Sequence, residues 1–119
     1  MKTNNVVERK SKSFALRSIR LFQYLTKEKR EFILSKQVIR SGTSIGANVK
    51  EAIYGQSRAD FLAKMSIALK EANETDYWLE LIYAGGYISF SEYQSIAHDC
   101  DDLIRLLTAI VKSTRGTTC

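Results

Sequence analysis

The residues able to do chemistry are few, and most of them crowd into one stretch. His98, Asp99, Cys100, Asp101 and Asp102 follow one another, and His98 and Asp102 stand four apart, which places two ligands on one face of a helix. A closed zinc site wants four ligands, and this face offers two. A di-iron bundle needs Glu-x-x-His motifs on two helices, whereas the chain has one histidine. Cys100 lies two residues from His98, so on a helix the pair points to different faces, and Cys100 falls on an apolar row where it is no activated nucleophile. Glu71 and Glu74, one helical turn apart, suit a basic partner, with Arg40 as a candidate, better than they suit paired catalytic acids. The reading is therefore a protein with no catalytic residue, no metal and no cofactor.

The stretch IRSGTSIGANVKEA, Ile39 to Ala52, offers two glycines, a Thr-Ser pair and a lysine. A phosphate-cradling loop of the Walker type needs G-x-x-x-x-G-K-[ST] between a strand and a helix. Here the glycines are four apart, Ala47 follows the second, and Lys50 comes four residues after it. A dinucleotide fingerprint fails as well, because no strand precedes the segment. Val38, Gly42, Ile45, Val49 and Ala52 instead step by four, three, four and three residues, the period of a helix face. Two interior glycines each cost a helix about 1 kcal/mol relative to alanine. The expected reason for them is a facing helix that approaches closely, or a large side chain such as Phe61 or Tyr93 that needs the room.

The same alternation recurs along the chain. Phe61, Met65, Ala68, Ala72, Thr75, Leu79 and Ile82 form a third apolar row, and Tyr93, Ile96, Cys100, Leu103, Leu107 and Ile110 a fourth. The first is noisier, with Phe14, Leu21 and Leu25 beside Ala15 and Phe22. The spacing predicts helices over about residues 6–25, 28–54, 58–84 and 90–113. Thr26 is a candidate cap for helix 2 and Gly55 its left-handed end. Ser57 with Asp60, and Ser89 with Glu92, have the spacing of capping boxes, and Gly85-Gly86 closes helix 3. Short connections between long helices force antiparallel neighbours, so the expected fold is all-α, an antiparallel up-down-up-down four-helix bundle in a single domain over residues 1–119. The absence of proline agrees, since proline is the residue most hostile to a helix interior.

Composition bounds the setting. Two cysteines, one inside an apolar row and the other, Cys119, at the last position, are no disulfide framework, and a reducing cytoplasm fits. MKTNNVVERKSK lacks the apolar segment of a signal peptide, and no apolar run is long enough to span a bilayer, so no membrane association is expected. Residues 1–40 hold eleven basic side chains against three acids, a net of +8, which leaves −3 on the remainder of a chain whose total is +5. An asymmetry of this size suggests a first segment that faces a polyanion, or attraction between opposite surfaces of neighbouring subunits.

The cations are also ordered. Arg9, Arg20 and Lys27 share one row of the first helix, Lys10 and Arg17 an adjacent row, and Lys29 and Lys36 align with Arg40 on the second. These residues are the candidate contacts to RNA or DNA phosphates. On the far side of helix 2 from its apolar row stand Arg40, Ser44, Ala47, Asn48 and Glu51, mostly small or short polar residues where a merely wet face would more often carry helix-favouring lysines and glutamates. Helix 3 adds a shoulder of Ile67, Trp78 and Leu81 interleaved with Glu71 and Glu74. Aromatic anchors beside charged groups suit a subunit interface, so Arg40, Ser44, Asn48, Glu51, Glu74 and Trp78 are the candidate oligomer contacts.

The runs RSGTSIGANVKEA and SRADFLAKMSIALKEANETDYWLELI together resemble the small four-helix-bundle family encoded by intervening sequences in bacterial 23S rRNA genes. That family's pattern of Arg-Ser, Ser-Ile and Asn followed by an acid, then Asp-Phe, Ile-Ala and a glutamate, is met by Arg40-Ser41, Ser44-Ile45, Asn48, Glu51, Asp60-Phe61, Ile67-Ala68 and Glu74. One departure is that the Glu-Gly which commonly closes helix 2 is here Glu51 followed by AIYG. The resemblance implies a homopentameric ring of bundles with no established enzymatic activity. A related branch of accessory proteins in diversity-generating retroelements binds a reverse transcriptase and nucleic acid through a basic surface. The expectation is thus a non-catalytic, oligomeric interaction protein that binds RNA or DNA through helix 1 and the start of helix 2, with a purely protein-binding assembly factor as the alternative.

Overall fold

Apolar rows at helical spacing can be buried together only if the helices carrying them pack side by side. A computed structural model describes residues 2–116, with side chains from Asn4 onward, and shows that arrangement. Cys119 lies outside the described residues. Four helices follow in order, α1 (Lys2–Lys27), α2 (Leu34–Ile53), α3 (Arg58–Ala84) and α4 (Phe90–Gly116), and there is no strand among the described residues. Each packs on its neighbour in the chain, and α1 also touches α4, which closes the ring while leaving the diagonal pairs apart. Contacts between distant residues fix the directions. Ser18 lies beside Gly42 and Ser11 beside Gly46, Lys64 pairs with Glu51, Cys100 with Ala72 and Lys10 with Asp102, so every adjacent pair is antiparallel. The bundle measures 48 × 21 × 21 Å.

The buried rows of α2, α3 and α4 follow the spacing in the sequence. Val38, Gly42, Ile45, Val49 and Ala52, then Met65, Ala68, Ala72, Thr75, Leu79 and Ile82, then Ile96, Cys100, Leu103, Leu107 and Ile110 are all buried. Phe61 and Tyr93, at the outer ends of their rows, are only partly covered. The row of α1 is Val7, Ser11, Phe14, Ser18 and Leu25, and its two serines explain why the apolar pattern there looks noisy. They face the glycines of α2. A Cβ on Gly42 would stand 2.1 Å from the Ser18 hydroxyl and 2.8 Å from Ser18 Cβ, and one on Gly46 would stand 3.3 Å from the Ser11 carbonyl oxygen. The glycines therefore bring α1 close, and neither Phe61 nor Tyr93 fills the space beside them. Across the other side of α2, the Ser41 and Thr75 hydroxyls meet at 2.8 Å, and each also reaches a carbonyl of its own helix. The buried hydroxyls are thus satisfied.

Helix ends depart from expectation in two places. Thr26 does not cap α2. Its hydroxyl donates to the Phe22 and Gln23 carbonyls within α1, and α2 begins at Leu34, six residues later than its predicted start. The chain leaves α1 through Arg30 at φ 54, and the Glu31 carboxylate then accepts from the amides of Ile33, Leu34 and Ser35 at 3.2, 3.0 and 2.8 Å. Gly55 is not left-handed either, because α2 ends with Tyr54 at φ −99, and Gly55 needs no conformation that other residues avoid. The left-handed glycine is Gly86, at φ 86. Its amide bonds to the Tyr83 carbonyl while that of Tyr87 reaches back to Ile82, the paired bonds of a Schellman ending. Ser89 and Glu92 form the reciprocal box, at 2.8 and 3.1 Å, and Ser57 accepts from the Asp60 amide.

Candidate nucleic-acid interface

The antiparallel order sets the basic helix α1 between α2 and the acidic part of α4, and this divides its cations into two groups. Arg17 turns toward α4, where its guanidinium meets Asp99 at 2.7 Å and donates to the Ser95 carbonyl and hydroxyl at 3.1 and 3.0 Å. Lys10, one row unit earlier, reaches Asp102 at 3.5 Å. The predicted second row is therefore engaged in clasping α4 across the thinnest seam of the bundle. Arg9, Arg20 and Lys27 remain exposed, and no ion pair engages them among the described residues. Lys36 is exposed on the first turn of α2. Lys29 is not on α2 at all; it sits in the connection with its ammonium 5.9 Å from the centre of the Tyr24 ring.

Between α1 and α2 the small residues that allow close approach also leave an open groove of about 710 Å³. Its floor is Ser11, Ala15, Thr43, Gly46 and Ala47, and Arg9, Lys12 and Lys50 stand along it with one acid, Glu8. Spacing along the sequence does not single out Lys12 and Lys50, because the two belong to different helices and only the packing brings them together.

The candidate oligomer residues form a second arrangement along the α2–α3 seam. Arg40 pairs with Glu74 and lies 3.5 Å from Glu71, and Glu74 also accepts from the Trp78 indole at 3.1 Å. Glu51 pairs with Lys64 at 2.9 Å. Ser44 donates to the Arg40 carbonyl and Asn48 to that of Ser44, so both polar groups turn back onto their own helix. The charges expected to look outward to another subunit are matched within the chain, and the face they leave is short and self-satisfied. Tyr77 stays half exposed with its ring tilted against Trp78 at 5.2 Å.

The chemistry weighed at the outset has a plain electrostatic account. His98, Asp99 and Asp102 bring ligand atoms within 4.8 Å of one another, yet Asp99 holds Arg17 and Asp102 holds Lys10, so both acids already have cationic partners. The Cys100 thiol is fully buried, donates to the Ala72 carbonyl at 3.4 Å, and is pushed up to about 12 by burial and by the nearby Asp76 and Asp101 charges. It is therefore protonated and inert.

Asp76 is in conflict with its surroundings. Burial, then the Glu80 and Asp101 charges and a hydrogen bond with Glu80, raise its carboxyl above the ordinary 3.8. Stability from a raised acid is fully present below the unfolded value and is lost as pH rises through the folded one. Asp76→Asn is accordingly expected to raise the free energy of unfolding at neutral pH by on the order of 0.5–1 kcal/mol, the lower part of the range usual for charge optimisation. The gain should vanish below the ordinary aspartate range. Urea unfolding at two pH values checks both parts.

A family model described as 23S rRNA-intervening sequence protein matches residues 3–109. The chain belongs to that family. Among solved structures, this chain is similar to a protein of unknown function from the S23 ribosomal protein family of Bacteroides thetaiotaomicron. The two are 53% identical, with a TM-score of 0.91 over 92% of this chain and 98% of the other. Comparison with curated proteins gave no match. No helix among the described residues is long and apolar enough to cross a membrane. Family membership thus accounts for the four-helix architecture, and the functional reading rests on the charges and faces described above.

Proposed function

We propose that this family member is a non-catalytic, homo-oligomeric scaffold, a pentamer by the resemblance, that binds the phosphate backbone of RNA or DNA through α1 and the adjoining part of α2. The observation that carries the reading is the basic groove, where Arg9, Lys12 and Lys50 line a floor of small side chains that lets a phosphate chain approach the backbone. Arg20, Lys27 and Lys36 extend the exposed charge beyond it. Repetition of this face around an oligomer would multiply weak contacts into avid binding. The rival reading, an assembly factor that binds only protein, draws support from Tyr77 and Ile67, which stay exposed on α3 beside the matched charges of Arg40 and Glu74.

Salt dependence separates the two. Each phosphate contact contributes a slope of about −0.7 to −0.9 in log affinity against log salt. Replacing Arg9, Arg20 and Lys27 together by glutamine is expected to flatten that slope by about two to three units while leaving the helix content and the mass seen by light scattering unchanged. No binding of mixed RNA at low salt would refute the nucleic-acid reading and leave the assembly factor. A chain that stays monomeric at micromolar concentration would refute the scaffold.

A further inference from the structure

One end of the bundle carries more exposed aromatic surface than packing explains. The α1–α2 connection and the α3–α4 turn lie at the same end, because the helices alternate in direction. Phe32 is 47% exposed, Ile33 74% and Phe90 55%, and none of them joins the core. Tyr83 stacks on Tyr93 at 4.8 Å and 13° and meets the Phe90 ring at 5.8 Å. Single exposed apolar residues are ordinary, but here several share one end with a concentration of cations.

The cations are placed on the rings. The Arg30 guanidinium lies 5.6 Å from the centre of the Phe32 ring, Arg30 itself taking a left-handed backbone at φ 54, and Lys29 stands over Tyr24. The two turns are close neighbours: Tyr24 and Glu92 line one cleft, and Glu92, lowered chiefly by the Ser89 amide and hydroxyl, also feels the Lys29 charge. Within residues 27–36 the four cations Lys27, Lys29, Arg30 and Lys36 face one uncommitted acid, Glu28, because the Glu31 carboxylate is taken up by the amides of α2.

We infer that this aromatic and basic end binds unpaired bases of a single-stranded nucleic acid, with Phe32 and Phe90 as stacking platforms and Lys29, Arg30 and Lys36 on the phosphates between them. The inference rests on the nucleic-acid reading above and narrows its ligand from any phosphate chain to a single strand. Ring faces flanked by guanidinium and ammonium groups are what a flexible strand uses, since every base has a face to stack and every linkage a charge to neutralise. A duplex hides those faces. A second copy of the same end would set cation against cation.

Fluorescence anisotropy with the full chain tests this using three probes of equal backbone charge per strand: a uridine oligomer, the same strand without bases, and a duplex. The uridine strand is expected to bind roughly tenfold more tightly than the abasic strand for each stacked base. Phe32→Leu with Phe90→Leu keeps the apolar area and removes the rings; it should bring the uridine strand down to the abasic level and leave abasic binding unchanged. Equal affinity for the uridine and abasic strands would overturn the inference while sparing the backbone-binding proposal. Binding of none of the three would sink both. Capture by vesicles of anionic phospholipid, undiminished in the Phe→Leu variant and without preference for the uridine strand, would assign the end to a membrane surface instead.

Discussion

Gly42→Ala is expected to destabilise the bundle although alanine is the better helix former. The added Cβ would lie 2.1 Å from the Ser18 hydroxyl and 2.8 Å from Ser18 Cβ. The hydroxyl can rotate away, but the Cβ is fixed to its backbone, so α1 and α2 must separate along their length. Overpacking costs about 1–3 kcal/mol, and contacts this short place the cost in the upper part of that range, about 2–3 kcal/mol, offset by roughly 1 kcal/mol of helix propensity. A net loss of about 1–2 kcal/mol follows, several degrees in the melting temperature of a domain of this size. Gly42→Leu drives further carbons toward Phe14 and should do worse. Ser18 decides the cause. Ser18→Gly combined with Gly42→Ala removes both offending atoms and should recover most of the loss, whereas Ser18→Ala keeps the Cβ and should recover little. Gly46→Ala, whose Cβ would meet the Ser11 carbonyl oxygen at 3.3 Å and the Ser11 carbonyl carbon and hydroxyl at 3.5 Å, should cost far less and lie close to neutral once its gain in helix propensity is counted. Urea unfolding followed by circular dichroism measures all five, and a Gly42→Ala protein as stable as the parent would show that this contact does not set the helix spacing.

The same pair of glycines shows how far the sequence carried the fold. Their place on the apolar face of α2, Gly42 on the main row and Gly46 on the row beside it, is legible because spacing alone fixes which face a helical residue occupies. What they face was not, since the partner residues Ser11 and Ser18 are polar and so invisible to an apolar pattern. The start of α2 was misplaced for a related reason. Residues 28–33 continue a helical composition, and nothing in the letters shows that Arg30 takes a left-handed conformation. Thr26 is a favoured cap type, but its hydroxyl is already used one turn back in α1.

Charge pairing divides in the same way. Arg40 with Glu71 and Glu74 was foreseeable once helices 2 and 3 were antiparallel neighbours, because a short connection fixes their register within a turn or so. The pairing of Arg17 with Asp99 depends on α1 and α4, whose contact is made after the rest of the chain has intervened, and five cations on two adjacent rows of α1 look uniform without it. The basic groove has the same origin, with Arg9 and Lys12 from one helix and Lys50 from another. Spacing within a helix sorts residues by face, whereas a surface assembled from two helices is visible only in the packed structure.

Glu31→Ala is expected to loosen the start of α2 and to change how stability depends on pH. Glu31 is 8% exposed, and its two carboxylate oxygens together accept from three of the amides that a helix N-terminus leaves without partners. Ile33, which holds the cap position, supplies no side-chain bond of its own. Loss of a side-chain cap costs about 0.5–2 kcal/mol, and three charge-assisted bonds place this one toward the upper end, about 2 kcal/mol. Burial by itself pushes the Glu31 carboxyl up, but the amides of Leu34, Ser35 and Ile33 outweigh it, and the group ends below its ordinary 4.5. A lowered acid contributes stability that is present above the unfolded value and lost as pH falls through the folded one. The parent protein should therefore lose stability on acidification that Glu31→Ala has already lost, so their urea midpoints should converge at low pH. Glu31→Gln keeps the shape and one accepting oxygen without the charge; it should fall between the two at neutral pH and shed the same part of the acid dependence. A constant gap between parent and Glu31→Ala across the whole acid range would mean that the side chain acts by packing alone, and that the carboxylate does not hold the first turn of α2.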